Sequence, residues 1–362
     1  MRILQMAPPW FAVPPAGYGG IEWIVSELAD GLADRGHDVT LLASGGSRTS
    51  AVLWTVFDEP PSKQLGSAYH ELLHCSAGYR RRDEFDVIHD HSGLIGPAIG
   101  AFTDGPPVVH TLHGPWTEDF RRMYTALAPR LRLVAISQDQ RDRAPEGLSI
   151  AGVVPNGIPL DRYPLRSERR GTDGYLFFIG RASREKGPEV AVRCAKQLGR
   201  KLKMVVKVNE PPEEAYWREA VEPHLDGVDI EILDTVSTDE KAAMMAGADA
   251  CLFPIQWAEP FGLVMVESMA CGTPVVAFAN GASPEVIVDG ETGFLLPEGD
   301  LDGLCDAVTR VGDIDPRACR ARVQDHFSDA RMVEGYERVY ERVLSGEEDG
   351  GDRPRPAAGH AG

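Results

Sequence analysis

Short apolar runs alternate along this chain with stretches whose apolar residues recur at helical spacing, and that alternation predicts parallel sheets covered on both faces. The first run ends near Ala7, residues 8–20 form a loop, and a helix is predicted over residues 21–35, stopped by Gly36. Apolar runs at 39–43, Val87-Ile88, Val108-Val109, 133–136 and Val153-Val154 continue the first sheet. Residues 159–174 are polar, contain two prolines and lack periodicity, so they read as a linker. A second set of strands is predicted at 175–179, 203–208, 229–233, 250–253, 275–278 and 293–296. Two sheets of one kind joined by one linker imply a cleft between them. Met332, Val333, Tyr336, Val339, Tyr340 and Val343 lie at helical spacing, so the last helix needs a surface for its stripe. From Ser345 onward the chain is almost devoid of large apolar residues, and 345–362 are expected to be disordered.

At 362 residues the chain suits two cores of about 160 residues each. Asp plus Glu total 55 against 37 Lys plus Arg, a formal net charge of −18. Such a balance repels nucleic acid and anionic lipid. No nucleic-acid partner and no membrane contact are therefore expected, and any phosphate chemistry must rest on a local basic cluster. Residues 1–165 hold 14 basic and 19 acidic side chains, so most of the excess lies in the second half. The clusters Arg80-Arg81-Arg82 and Arg121-Arg122 read as solvated faces. Six cysteines show neither metal-ligand spacing nor the density of a disulfide scaffold, and read as core fillers. The amino terminus reads as a first buried strand rather than a signal peptide, and no apolar segment reaches about 18 residues. The cytoplasm is the expected compartment.

The candidate chemistry centres on Glu259 and Glu267, which flank Pro260-Phe261-Gly262-Leu263. Pro260 and Gly262 end regular structure and let a helix begin at about Gly262, with Glu259 before it and Glu267 on its second turn. The amides of Gly262, Leu263 and Val264 then point between the two acids, and a helix start of that kind binds an anion. Each carboxylate accepts two hydroxyl hydrogen bonds at once. The arrangement suits a ligand with hydroxyls at both ends and phosphate in the middle, the layout of a sugar nucleotide. Earlier, an apolar run closing on Gly180 predicts a buried strand, and Gly187-Pro188 the start of the next helix. Arg181 and Lys186 then lie at the strand's carboxyl end, where open α/β sheets bind ligands. Two cations there can neutralise charge on a leaving diphosphate.

These motifs resemble, in order and spacing, those of the retaining nucleotide-sugar glycosyltransferases of family 4. The resemblance extends to residues 269–276 and 290–295, and in the first half to Gly19-Gly20-Ile21-Glu22 and residues 86–91, 111–114, 135–137 and 154–158. It covers the chain from its start to about residue 344. It implies an α/β chain of GT-B fold, with two Rossmann-like domains facing across a cleft. Here the acceptor domain would span 1–158, the linker 159–174, and the donor domain 175–326. A crossover helix over 327–344 would return to the first domain.

By the same resemblance, Glu267 grips ribose hydroxyls, Glu259 meets the donor sugar, and Arg181 and Lys186 clamp the diphosphate with the amides after Phe261. Both acids would position rather than transfer protons. A pair of hydrolytic carboxylates would instead face each other across one bond at about 5–9 Å. His113 matches the family histidine beside the donor sugar, and the loop at Gly17, Gly19 and Gly20 lies near the acceptor or the diphosphate. Ser137 and Asn156 also match family positions but are equally caps or turn residues. The implied co-substrate is a nucleoside diphosphate sugar, a UDP-sugar on family frequency, with a hydroxyl acceptor and no metal or other cofactor. An epimerase or hydrolase of the same fold, and a non-catalytic sugar-nucleotide binding protein, stand as alternatives. Two departures occur: Pro159 replaces a usual aspartate, and Lys207 with residues 208–212 replaces a glycine-rich turn, which puts Lys207 within reach of base or phosphate. Asp313-Ile314-Asp315 reads as surface acidity rather than a metal site. The sequence carries no reading of the acceptor's identity or of oligomeric state.

Overall fold

The computed structural model describes residues 1–347 except 18, 169, 170, 172, 173, 209, 227 and 228. Its first sheet is built from β1 (Arg2–Met6), β2 (Asp38–Ala43), β3 (Val52–Thr55), β4 (Val87–Asp90), β5 (Val108–Thr111), β6 (Leu131–Ala135) and β7 (Ile150–Val153). All pair in parallel, in the order β3-β2-β1-β4-β5-β6-β7. The second sheet comprises β8 (Tyr175–Arg181), β9 (Lys201–Lys207), β10 (Ile230–Leu233), β11 (Ala250–Phe253), β12 (Val275–Phe278) and β13 (Gly293–Leu296). Its order is β10-β9-β8-β11-β12-β13. Each sheet thus reverses direction once, between β1 and β4 and between β8 and β11. Crevices for ligands open at the carboxyl ends of such neighbouring strands.

Helices α1 (Gly20–Asp34), α2 (Ala68–Arg80), α3 (Ile95–Phe102), α4 (Glu118–Leu127) and α5 (Gln138–Asp142) connect the first sheet. Around the second lie α6 (Pro188–Leu198), α7 (Pro211–Tyr216), α8 (Thr238–Gly247), α9 (Leu263–Ala270), α10 (Ser283–Val286), α11 (Leu301–Thr309) and α12 (Pro316–His326). Near-continuous apolar strands such as β11 and β12 are buried along their whole length, as strands covered on both faces must be.

The last helix, α13 (Asp329–Ser345), returns to the first sheet. Met332, Val333, Tyr336, Val339 and Tyr340 join Ile3, Leu28 and Val39 in one core, so the stripe read from the sequence finds its partner there. The outgoing and returning crossings lie side by side. Ile158 N donates to Phe327 O at 2.9 Å, and Asp329 N to Ile158 O at 3.1 Å. Residues 348–362, most of the expected tail, lie outside the described residues.

One strand was not anticipated. β3 is an edge strand whose Val52 is 60% exposed, and such a strand shows neither a buried run nor a clean alternation. Asp315 is the N-cap of α12, accepting from Arg317 N at 2.9 Å, which accounts for one acid of the Asp313-Ile314-Asp315 turn. All six cysteines are buried and none is in a disulfide. Among the described residues no helix is long and apolar enough to cross a membrane.

Candidate active site

Two helix starts, one from each half, meet in the crevice. Gly262 takes φ 85°, a left-handed conformation suited to glycine, and turns the chain into α9. The amides at the head of α9 have no intrahelical acceptor. Gly20 opens α1, and a Cβ placed on it would lie 3.5 Å from Leu263 Cδ1. Leu263 packs against the cores of both halves. Phe261 is buried and meets Phe327 edge-on at 5.8 Å, which anchors the turn that carries Glu259.

Glu259 and Lys186 come together. Lys186 leaves β8 through a short turn and donates from Nζ to Glu259 Oε2 at 2.6 Å. Trp257 Nε1 donates to the same oxygen at 2.8 Å, and the Lys186 ammonium sits 5.1 Å from the Trp257 ring centroid. Glu267 is held in a similar way by different residues. Lys241 Nζ at 2.6 Å and Tyr163 OH at 2.9 Å both donate to its Oε1. Burial and the neighbouring carboxylate push the Tyr163 hydroxyl's pKa far up, so it stays a donor. Arg320 fixes this corner by donating to the carbonyls of Tyr163, Leu160 and Ala270 at 2.7, 2.8 and 2.7 Å. In both acids one oxygen is committed to the protein, while Glu259 Oε1 and Glu267 Oε2 have no partner among the described residues.

The two cations expected as one clamp pair with different carboxylates. Arg181 ends β8 in register with Lys207 at the end of β9, and its guanidinium lies 3.6 Å from Glu213 on α7. It remains 45% exposed, against 20% for Lys186, so it is the more movable of the two.

On the facing wall His113 follows β5, partly exposed, with Nε2 2.9 Å from His91 Nδ1. Burial and nearby imidazoles hold both histidines well below the ordinary imidazole value, so each is neutral near pH 7. Glu22, on the first turn of α1, is buried and its carboxyl rises to about 6. Ser137 is a cap: its hydroxyl accepts from Gln140 N at 3.1 Å at the start of α5. Asn156 is buried with Oδ1 unpartnered.

Glu285 was not singled out in the sequence. From α10 it accepts from Gln138 N at 2.7 Å and Asp139 N at 2.6 Å, capping α5 of the opposite half. Glu285→Ala is expected to lower unfolding free energy by about 1–2 kcal/mol, the loss of two amide bonds at a helix start. A urea titration checks it, and an unchanged midpoint would show that the contact carries nothing.

Residues 18–162 match the profile of Glycosyltransferase Family 4, and residues 162–322 that of the glycosyl transferases group 1. The chain is 30% identical over 383 residues to the phosphatidyl-myo-inositol mannosyltransferase of Mycolicibacterium smegmatis, covering 95% of this chain and 94% of that one. It is 27% identical over 417 residues to the glycogen synthase of Mycobacterium tuberculosis, covering 100% and 99% of the two chains. Among solved structures, Anabaena HepE in complex with UDP and glucose has a TM-score of 0.72 at 20% identity, covering 94% and 99% of the two chains. Two Rossmann-like sheets that meet at Gly20 and Leu263, with a last helix returning to the first, define a GT-B glycosyltransferase. The chain belongs to the family 4 type of these enzymes.

Proposed function

We propose that this glycosyltransferase takes a hexose from a nucleoside diphosphate sugar and passes it to a hydroxyl acceptor with retention of anomeric configuration. The observation that carries the reading is the pair of half-committed acids: Glu259 and Glu267 each keep one oxygen open for ligand hydroxyls on either side of the α9 start. In this reading Glu267 holds the ribose and Glu259 the hexose. The diphosphate spans the amides of Gly262, Leu263 and Val264, with Lys186 and Arg181 beside it, Lys207 toward the base or a phosphate, and Gly19 and Gly20 closing from the other half. His113 stands beside the hexose. The acceptor oxygen bonds to the anomeric carbon as that carbon's bond to the diphosphate breaks, and the acceptor's proton passes to the departing phosphate oxygen on the same face. Stabilising that leaving group is then the main catalytic contribution. No metal or organic cofactor enters the scheme.

A uridine donor is the first to test, in line with the complex of the fold neighbour HepE with UDP. With UDP, GDP and ADP at one common concentration, a nucleotide for which that concentration is about a hundred times Kd would add about 2.7 kcal/mol if bound only by the folded chain. One of the three is expected to raise Tm clearly above the others, and the anomeric configuration of the product, read by NMR, should be that of the donor sugar. A chain stabilised by none, with labelled donor left intact, would overturn the reading. Inverted product would overturn retention alone.

A further inference from the structure

Beneath His113 the strand ends carry an unbroken chain of buried polar side chains. Gln5 on β1 donates from Nε2 to Tyr340 OH at 2.8 Å, while its Oε1 lies 3.0 Å from His91 Nε2. His91 Nδ1 in turn meets His113 Nε2 at 2.9 Å. On the other side of Tyr340, its hydroxyl lies 2.6 Å from His89 Nδ1, His89 Nε2 lies 2.8 Å from Thr111 Oγ1, and Thr111 Oγ1 lies 2.8 Å from Tyr336 OH. Gln5 and His89 face each other in register across β1 and β4. All of these groups but His113 are at most 1% exposed, so water does not compete for their bonds.

Proton counting gives the chain a direction. Burial holds His89 and His91 well below the ordinary imidazole value, so each ring carries one N–H. An amide oxygen only accepts, so the proton of His91 sits on Nε2 and its Nδ1 is bare. A bare Nδ1 only accepts, so His113 must carry its proton on Nε2. The remaining nitrogen of His113, Nδ1, is then a lone pair with no partner among the described residues. With the amide this way round, the Tyr340 oxygen accepts from Gln5, which leaves its single hydrogen for His89 Nδ1.

We infer that Gln5 and Tyr340 are positioning residues of the transfer reaction: they fix the tautomer of His113, and so decide that it offers the donor sugar an acceptor rather than a donor. The inference rests on the proposed place of His113 beside the hexose. It brings α13, which arrives from the far end of the chain, into the apparatus that orients the sugar.

Tyr340→Phe removes the hydroxyl that anchors the amide. An unpaired buried carbonyl is tolerated better than an unpaired N–H, so Gln5 turns over and the tautomer preference of His113 is lost or reversed. Gln5→Met removes the amide altogether and should blur the same preference by a separate route. Nitrogen-15 NMR of the full chain with labelled histidine reads the state directly, because bare and protonated ring nitrogens resonate far apart. The wild type is expected to show His113 as the Nε2–H tautomer, and each variant a mixture. In each variant kcat should fall by about tenfold, the cost of misdirecting one ordinary hydrogen bond, with donor KM nearly unchanged.

A wild type with the proton on Nδ1, or variants that keep the wild-type tautomer, would overturn the inference. The two readings fail separately. Full turnover in His113→Ala would remove His113 from the reaction while leaving the spectra to decide the relay.

Discussion

Lys186→Met is expected to lower kcat/KM by about a thousandfold while the protein stays folded. The ammonium lies 2.6 Å from Glu259, four-fifths shielded from water, and Glu259 precedes α9 in the chain. In the proposed reaction a fixed cation in such a place would act on charge that develops on the leaving diphosphate, and removing one comparable donor from a shielded site costs about 3–4 kcal/mol of transition-state stabilisation. Methionine preserves most of the apolar stem that packs near Trp257. Glu259 also keeps its bond from Trp257 Nε1, so it is not left bare. The stability loss should therefore stay near 1–2 kcal/mol. Initial rates with labelled donor, beside a thermal melt, separate the two effects. A drop of less than tenfold would remove Lys186 from the leaving-group site.

Gly187→Ala is expected to damage fold and turnover together. Gly187 takes φ 70°, where a side chain is strained, and a Cβ there would stand 2.3 Å from the carbonyl oxygen of Pro254. That oxygen belongs to the backbone leading from β11 toward Glu259, so relief must come by moving either Lys186 or the loop of its partner. Strain and overlap together should cost about 2–4 kcal/mol, and pulling the ion pair apart should reduce kcat/KM by about a hundredfold. Gly199→Ala is the control. Gly199 has φ 60° but nothing within 4 Å of the added carbon, so only the conformational penalty of about 1–2 kcal/mol applies. Urea midpoints at unchanged m-value make the comparison. Equal losses at the two positions would refute the contact with Pro254.

Much of this arrangement was legible in the sequence because its signals are local. Gly262 before an apolar helical stretch marked the head of α9, and an apolar run ending at Gly180 put Arg181 at the end of β8. The partners were not legible, because tertiary packing supplies them. Lys241 reaches Glu267 from α8, and Tyr163 from the segment read as linker; neither has a spacing relation to the acid. Trp257 could have been found, since it sits two residues before Glu259 and a half-buried indole N–H needs an acceptor. The histidine relay also left a trace. His89 interrupts an apolar strand and Gln5 another, and polar groups in buried strands require partners. What the sequence could not show is that these strands are neighbours, with Tyr340 closing the set from residues remote in the chain. β3 was missed for the opposite reason: an exposed edge strand carries almost no pattern.

The double crossing at Ile158 and Phe327 governs how this protein can be recombined with others. A chimera that imports a foreign donor half must be spliced twice, ahead of Tyr175 and again before Asp329, and must keep the native final helix. A single junction in the linker would graft a stranger's tyrosines against Gln5 and strip Leu28 and Val39 of the cover they share with Met332 and Val333.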